Sequence, residues 1–359
     1  MSKKILEICL SPDLGGLELF MVQCLEYFQK KSYAEVVVVQ GTKLDDYIKS
    51  NKYYVDRNKF FPFISAKRIA KIIDDNDIDV VHFHWTKDMP VVVLAKVFSH
   101  KKPKIIQTRN MHMTRFKDDF YHKFLYKNID FLHAVTNEVN NELVHFVPTE
   151  VRPDIEMIYM GVKEKLPDPK KIEILQKKYN LKDSFVIGIV GRIQENKGQW
   201  MVIEALSKLK DKNIKALIIG HTMDDTYLQS LKNGVKEYEI EDKIIFTGFT
   251  KEVNEHFHLC DVSILATRNE TFGLVVVEAM MNEVVVIATR KGGPVEIIED
   301  EKDGLFFDRT AENLYKKILY LFENRDKVKN MAKLAKIKAL EKFEYSKQLE
   351  KLYSRIKAM

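Results

Sequence analysis

With 359 residues, 45% of them hydrophobic and 31% charged, the chain can build two soluble domains of ordinary size, each with its own core. No apolar run approaches the roughly 20 residues that cross a bilayer. The formal charge of +6 is modest and its lysines are scattered, which argues against nucleic acid and leaves room for an anionic ligand or acidic lipid.

The first residues, MSKKILEICL, hold an apolar run too brief for a signal-peptide core, so they read as the first buried strand of a cytoplasmic protein. Short β-branched runs then alternate with amphipathic stretches, the pattern of βα repeats around parallel sheets. Strands are expected at 4–9, 36–40, 79–84, 104–107, 131–135 and 156–159, with helices at 17–30 and 66–74. The proline-punctuated stretch Leu166-Pro167-Asp168-Pro169 suits a linker. A second series follows at 185–190, 215–219, 243–246, 262–266, 284–288 and 305–307, and from Ala311 the chain reads as helical to its end. Two such series predict two Rossmann-like lobes facing across a cleft. Cys9, Cys24 and Cys260 share no metal-type spacing and are expected as buried, inert thiols, so neither a disulfide nor a metal site is predicted.

Ligands of open α/β sheets bind beyond the carboxyl ends of the strands, which directs attention to the loops there. The first is Leu14-Gly15-Gly16-Leu17-Glu18, where paired glycines before a helix either admit an anion to the backbone N–H groups or simply make a tight turn. It is not the G-x-G-x-x-G of dinucleotide sites, which disfavours a nicotinamide dehydrogenase. In Gly191-Arg192-Ile193-Gln194-Glu195-Asn196-Lys197-Gly198, two cations five positions apart can converge on one diphosphate. The alternative is a solvated loop in which Glu195 neutralises one of them.

The segment 266–280, ATRNETFGLVVVEAM, carries Glu270 and Glu278 at the two ends of an apolar run. Valine favours a strand there, but the alternation needs its next strand at 284–289, so a buried helix is expected. Thr271 is the predicted N-cap, with the helix starting near Phe272 and Glu270 in the loop before it. Two cations and two glycines then precede Pro294, which suits a helix first turn. His82 and His84 share one face of a strand and read as buried, satisfied histidines or as groups at a ligand cleft; metal binding would need a third ligand. Asp75-Asn76-Asp77 precedes a strand and reads as a polar turn. The stretch 115–131 interleaves aromatics with lysines, either as a helix packing its stripe on the sheet or as one lying on an anionic membrane.

The motifs GRIQENKG, ETFGLVVVEAM and KGGPVEII, in this order and with VVHFHW and LGGLE before them, resemble the retaining glycosyltransferases of family 4, the glycosyl transferases group 1. The resemblance implies an α/β GT-B fold: an acceptor-side lobe over 1–165, joined by a C-terminal helix near 342–359, and a donor-side lobe over 166–341. It implies that Gly15 and Gly16 lie against the diphosphate of a nucleotide-sugar donor, UDP-sugar being the type expected. Arg192 and Lys197 would neutralise that diphosphate, Glu278 would hold the ribose, and Glu270 would contact the transferred sugar. The backbone of Phe272, Gly273 and Leu274 would touch sugar and phosphates. No divalent metal or cofactor is implied, because cations and helix ends stabilise the leaving group. A family histidine is replaced by Asn110, so either His112 takes its role through a shifted loop or Asn110 or Arg109 makes the acceptor contact. A further departure, Tyr159-Met160-Gly161-Val162 where the family commonly has Asn before Gly-Val, concerns turn geometry. The expected acceptor is a saccharide or lipid-linked sugar of cell-surface polysaccharide or lipopolysaccharide synthesis, with peripheral contact at the inner membrane face. The alternatives are a nucleotide-sugar epimerase and a non-catalytic sugar-nucleotide-binding protein.

Overall fold

The computed structural model describes residues 3–57 and 62–359. The chain divides into two units, one formed by Met1–Gly161 with Tyr345–Met359 and the other by Val162–Glu344. Each is built on one sheet whose strands all pair in parallel.

In the first unit the strands are β1 (Ile5–Ile8), β2 (Ala34–Val38), β3 (Lys52–Tyr54), β4 (Val80–Phe83), β5 (Lys104–Arg109), β6 (Phe131–Ala134) and β7 (Asp154–Met157). Their order is β3-β2-β1-β4-β5-β6-β7. Central strands are buried throughout, as β-branched runs covered by helices on both faces must be. The edges depart from expectation. β3 was not predicted, and β7 starts two residues early, because short edge strands with exposed polar residues carry no hydrophobic signal. The C-terminal helix Tyr345–Ala358, buried at Leu349, Leu352 and Ile356, packs on the helix Gly16–Gln29: the Tyr345 ring lies 5.9 Å from that of Tyr27, the Tyr353 ring 5.8 Å from that of Phe28, and Tyr345 donates to the Gln23 carbonyl at 3.0 Å. Gly161 lies so close to this helix that a Cβ would stand 2.7 Å from the Tyr345 Cα.

In the second unit the strands are β8 (Phe185–Val190), β9 (Ile214–Ile219), β10 (Ile244–Gly248), β11 (Val262–Leu265), β12 (Val285–Thr289) and β13 (Gly304–Phe307), in the order β10-β9-β8-β11-β12-β13. Their core joins Phe185, Ile187, Ile218, Val262, Ile287 and Leu305 to the helices Gln199–Ser207 and Ala311–Glu323. The apolar segment after β11 is a helix, Leu274–Met281, buried at Val276, Val277, Ala279, Met280 and Met281. Strand order reverses between β1 and β4 in one sheet and between β8 and β11 in the other. Loops diverge at such a point and leave a crevice, so a ligand is expected at each. No helix of the described residues is long and apolar enough to cross a membrane.

Candidate functional site

At the reversal point of the second sheet, the loops after β8 and β11 are fastened to each other. The Lys197 ammonium meets a Glu270 carboxylate oxygen at 3.1 Å, each side chain 23% exposed. Arg268 donates its backbone N–H to the Asn196 carbonyl at 3.1 Å, and the Gln199 amide donates to the Arg192 carbonyl at 3.0 Å. Gly198 takes φ +78°, and a Cβ there would lie 2.6 Å from the Ala266 carbonyl oxygen. Only glycine lets the turn that carries Lys197 settle onto the end of β11. Arg309, beyond β13, donates to that same Ala266 carbonyl at 3.0 Å. The carboxylate facing Lys197 is therefore Glu270 rather than the neighbouring Glu195, which is exposed. Arg192 is exposed and has no ion pair among the described residues.

The helix after β11 starts later than predicted. Its N-cap is Gly273, at φ +95°, and its first residue is Leu274. The reason lies downstream, where Gly292 and Gly293 press against residues 270–272. A Cβ on Gly292 would stand 2.0 Å from the Glu270 carbonyl oxygen, and one on Gly293 would stand 2.2 Å from that of Phe272. The Gly293 N–H also donates to the Glu270 carbonyl at 2.9 Å, which holds Thr271 and Phe272 out of the helix. The Phe272 ring is 2% exposed and packs 6.0 Å from the Phe343 ring, so only its backbone can meet a ligand. Of the two cations beside these glycines, Arg290 pairs with Asp300 and lies over the Phe306 ring, while Lys291 is exposed. Pro294 opens the short helix Pro294–Ile297.

Glu278 stands in the second turn of Leu274–Met281, half-buried. Burial raises its carboxyl pKa above the ordinary 4.5, and the Lys165 charge partly opposes this. Its carboxylate has no hydrogen-bond or ion-pair partner among the described residues. The second lobe thus presents a cation held by a carboxylate, a free guanidinium and a second, unmatched carboxylate at one sheet reversal. Two cations suit a diphosphate, and a carboxylate with no donor of its own suits a pair of hydroxyls.

In the first lobe, the Gly15 N–H donates to a Glu18 carboxylate oxygen at 2.9 Å, and Ser11 Oγ donates to the other at 2.5 Å. Gly15 is therefore occupied by its own helix, while Gly16 is the first residue of that helix. His82 and His84 are wholly buried, each 2.8 Å from one oxygen of Glu7. Hydrogen bonds continue from His82 Nε2 to Thr108 Oγ1 at 2.7 Å, on to His133 Nδ1 at 2.8 Å, and from His133 Nε2 to the Ile158 carbonyl at 2.7 Å. Cys24 lies near the two histidines; both His82 nitrogens and both Glu7 oxygens are engaged, whereas His84 Nδ1 is enclosed in the core without a partner among the described residues. All three cysteines are buried and free, and burial pushes each thiol pKa up.

The loop after β5 holds Asn110 and His112 as neighbours. His112 Nδ1 lies 2.9 Å from a Glu142 oxygen, and Arg109 is turned inward, 6% exposed. In the 75–77 stretch Asp75 ends the helix Pro62–Asp75 and Asn76-Asp77 turn, with Asp77 at φ +56° and paired with Lys101. The 115–131 stretch differs from a helix with an inward aromatic stripe. Its helix, Phe120–Lys127, buries only Leu125 and Tyr126, whereas Phe120 is 88% exposed and Phe116 and Tyr121 are just over half exposed.

Sequence reasoning did not single out Gln199, Arg309, Lys165 or Glu142. Each acts on a residue distant in sequence or on a backbone carbonyl, and none stands in a distinctive local pattern.

The profile of the family described as glycosyl transferases group 1 matches residues 171–338, and that described as glycosyl transferase 4-like matches residues 7–137. N-acetyl-alpha-D-glucosaminyl L-malate synthase of Bacillus anthracis is 25% identical over 316 residues, covering 84% of this chain and 81% of its own. A transferase of Campylobacter jejuni, N-acetylgalactosamine-N,N'-diacetylbacillosaminyl-diphospho-undecaprenol 4-alpha-N-acetylgalactosaminyltransferase, is 26% identical over 307 residues, covering 78% of this chain and 77% of its own. The fold matches that of Anabaena Alr3699/HepE, solved in complex with UDP and glucose, with a TM-score of 0.87 at 18% identity, covering 99% of this chain and 100% of that one.

Proposed function

The chain belongs to the GT-B glycosyltransferases, and on that premise we propose that it moves a sugar, with retention and without a metal, from a nucleoside-diphosphate sugar to a saccharide or lipid-linked acceptor. The observation that carries this reading is the Lys197–Glu270 pair at the reversal of the second sheet, with Arg192 on the same loop and Glu278 on the helix after β11 without an ion pair among the described residues. Breaking the bond to a nucleoside diphosphate develops negative charge on the departing phosphate. Lys197 and Arg192 meet that charge, and a fixed cation stabilises it more in the transition state than in the ground state. Glu270, drawn to Lys197 in the free enzyme, turns to the sugar hydroxyls. Glu278 accepts hydrogen bonds from the ribose, and the backbone at Phe272, Gly273 and Leu274 lines the phosphate side. In the first lobe, the Gly16 N–H serves an anionic group, Glu18 having taken the one from Gly15.

The Anabaena complex with UDP supports a uridine donor, and the Campylobacter transferase, whose name carries a diphospho-undecaprenol acceptor, supports a lipid-linked one. Synthesis of surface polysaccharide or lipopolysaccharide is the setting that fits such an acceptor. The outward aromatics Phe116, Phe120 and Tyr121, with Arg115, Lys117 and Lys127 among them, favour peripheral contact with an anionic membrane. Co-sedimentation with vesicles of phosphatidylglycerol and of phosphatidylcholine tests that contact. Binding to the anionic vesicles that fails in Phe120→Ser is expected, and equal absence from both would contradict it.

The reaction is tested by incubating the enzyme with UDP-glucose, UDP-galactose, UDP-N-acetylglucosamine or GDP-mannose and a panel of p-nitrophenyl glycosides and short-chain polyprenyl-diphospho-sugars. Transfer with the donor's anomeric configuration kept in the product, and undiminished by EDTA, is expected. An inverted product would overturn the class. Conversion of donor into an epimer without acceptor would favour a nucleotide-sugar epimerase.

A further inference from the structure

We infer that Arg309 is a positioning residue for the cations of the second lobe: it pins the carbonyl on which the Lys197 turn rests, and it draws the turn's own carboxylate, Glu195, away from Arg192 and Lys197. This assignment rests on the donor reading above and adds to it a residue that stands outside every motif of the sequence.

Lys197 is carried by a single 3-10 turn, Glu195–Lys197, between β8 and the helix Gln199–Ser207. Inside the turn, the Lys197 N–H donates to the Gln194 carbonyl at 2.9 Å and the Gly198 N–H to the Glu195 carbonyl at 3.3 Å. One turn of helix has too few internal bonds to hold itself, so its place is set by what it lies against. That support is Ala266, just past the end of β11 and 1% exposed. A Cβ on Gly198 would stand 2.6 Å from the Ala266 carbonyl oxygen and 2.7 Å from its Cβ, so the turn sits directly on this residue. Arg309 reaches the same carbonyl from the loop after β13, with β12 standing between β13 and β11 in the sheet. Its Nε donates to that oxygen at 3.0 Å. A carbonyl held by a donor keeps its direction, and the glycine seated against it keeps its place.

The second part follows from charge. The chain carries Glu195 between Arg192 and Lys197, and a carboxylate turned toward them would offset one cation and repel a diphosphate. Glu195 is exposed and forms no ion pair among the described residues, but its charge acts on Arg309 and on Tyr227. Burial lowers the Arg309 pKa and Arg268 lowers it further, while Tyr227 and Glu195 oppose them. Burial likewise raises the Tyr227 pKa, and Glu195 adds to the rise. Arg268 and Arg309 thus make one side of the turn positive, and Glu195 is drawn to that side. Without Arg309 the pull is halved, and Glu195 can swing toward Lys197 and Arg192. Arg309 touches no substrate and acts through the turn alone.

The test titrates UDP and GDP by calorimetry into the full chain and its variants, taking whichever nucleotide the wild type binds. Arg309→Ala is expected to weaken binding about tenfold, the size of one lost hydrogen bond to a charged group. Glu195→Gln alone should stay within about twofold, and added to Arg309→Ala it should restore the affinity to within about threefold of wild type. A role in folding alone would not be relieved by removing the charge at Glu195. Arg309→Gln can still donate to Ala266 but carries no charge, so it should fall between wild type and Arg309→Ala. It also supplies the comparison if the alanine variant does not fold. In a Lys197→Ala background, Arg309→Ala should cost less than about threefold, because the turn it holds no longer carries that cation. Wild-type affinity in both Arg309→Ala and Arg309→Gln, or a loss that Glu195→Gln leaves unchanged, would overturn the assignment. Binding of neither nucleotide by the wild-type chain would instead sink the donor reading on which it rests.

Discussion

The two sheets each carry a cluster of titratable groups, in opposite condition. In the first lobe, Glu7, His82, His84, Thr108 and His133 are wholly buried, and their hydrogen bonds run from β1 across to the Ile158 carbonyl. In the second, Lys197 and Glu270 pair at the rim, while Arg192 and Glu278 have no ion pair among the described residues. A buried network engaged at every imidazole nitrogen but His84 Nδ1 holds a fold together and leaves little for a ligand to do. An open, half-matched one is costly in the empty protein and is completed by what binds there. The condition of the groups, more than their identity, separates structural from functional charge.

The largest effect that would break this comparison is expected in the buried cluster. Glu7→Ala removes the acceptor of two buried imidazoles and should lower the stability of the first lobe by about 3–5 kcal/mol. Urea denaturation followed by Trp85 fluorescence in a Trp200→Phe background reads that lobe, and a loss below about 1 kcal/mol would refute the structural role. Lys197→Ala should do the reverse. It should slow transfer by about 10²–10³-fold, as loss of one fixed stabiliser of developing charge does, with little change in the unfolding midpoint.

A smaller effect separates ribose binding from catalysis. Glu278→Ala should weaken donor binding by about tenfold or more, the value of hydrogen bonds to a charged group. The same carboxylate predicts a pH dependence. Its pKa in the free protein is raised by burial, with Lys165 opposing, and ribose hydroxyls favour the ionised form. Donor affinity should therefore be full well above that raised pKa and fall as pH drops through it. The variant should lose the pH dependence as well as the affinity.

The buried cluster has its own acid window. His84 is held near 4 and His133 near 3, against an ordinary 6.5, because burial disfavours the imidazolium. Between about 6.5 and those values the unfolded chain binds protons that the folded chain does not, so stability falls as pH drops. Glu7, with its pKa lowered mainly by His82, loses its contribution at lower pH still. Unfolding midpoints from the Trp85 reporter should drop between pH 7 and pH 4.5 more than those from Trp200 in a Trp85→Phe background. Equal drops would show that the first lobe holds no special acid lability.

Much of the second-lobe site was legible because its residues announce themselves locally. A strand followed by Gly191-Arg192 and then Lys197-Gly198 needs no long-range information to suggest a phosphate loop. What was not legible depended on distant partners. Thr271 is an ordinary N-cap residue, and only Gly292 and Gly293 pressing on residues 270–272 from about 20 positions downstream move the cap to Gly273. Glu195 was the nearer candidate for Lys197, but the partner is Glu270, 73 positions away. Glu142 reads as one more solvated charge on a helix until the fold brings it to His112. Along 115–131 the helical stripe argues for inward aromatics, yet in the helix Phe120–Lys127 only Leu125 and Tyr126 turn in and Phe120 stands in solvent.

The central claim, that the unmatched groups of the second lobe receive a nucleoside diphosphate, is tested most directly by calorimetric titration of UDP and of GDP into the wild-type chain and Glu278→Ala at pH 7.5. Saturable binding of one of the two nucleotides by the wild type, weakened at least about tenfold in the variant, is the result predicted. Binding of neither nucleotide, or equal affinity in the two proteins, would contradict it.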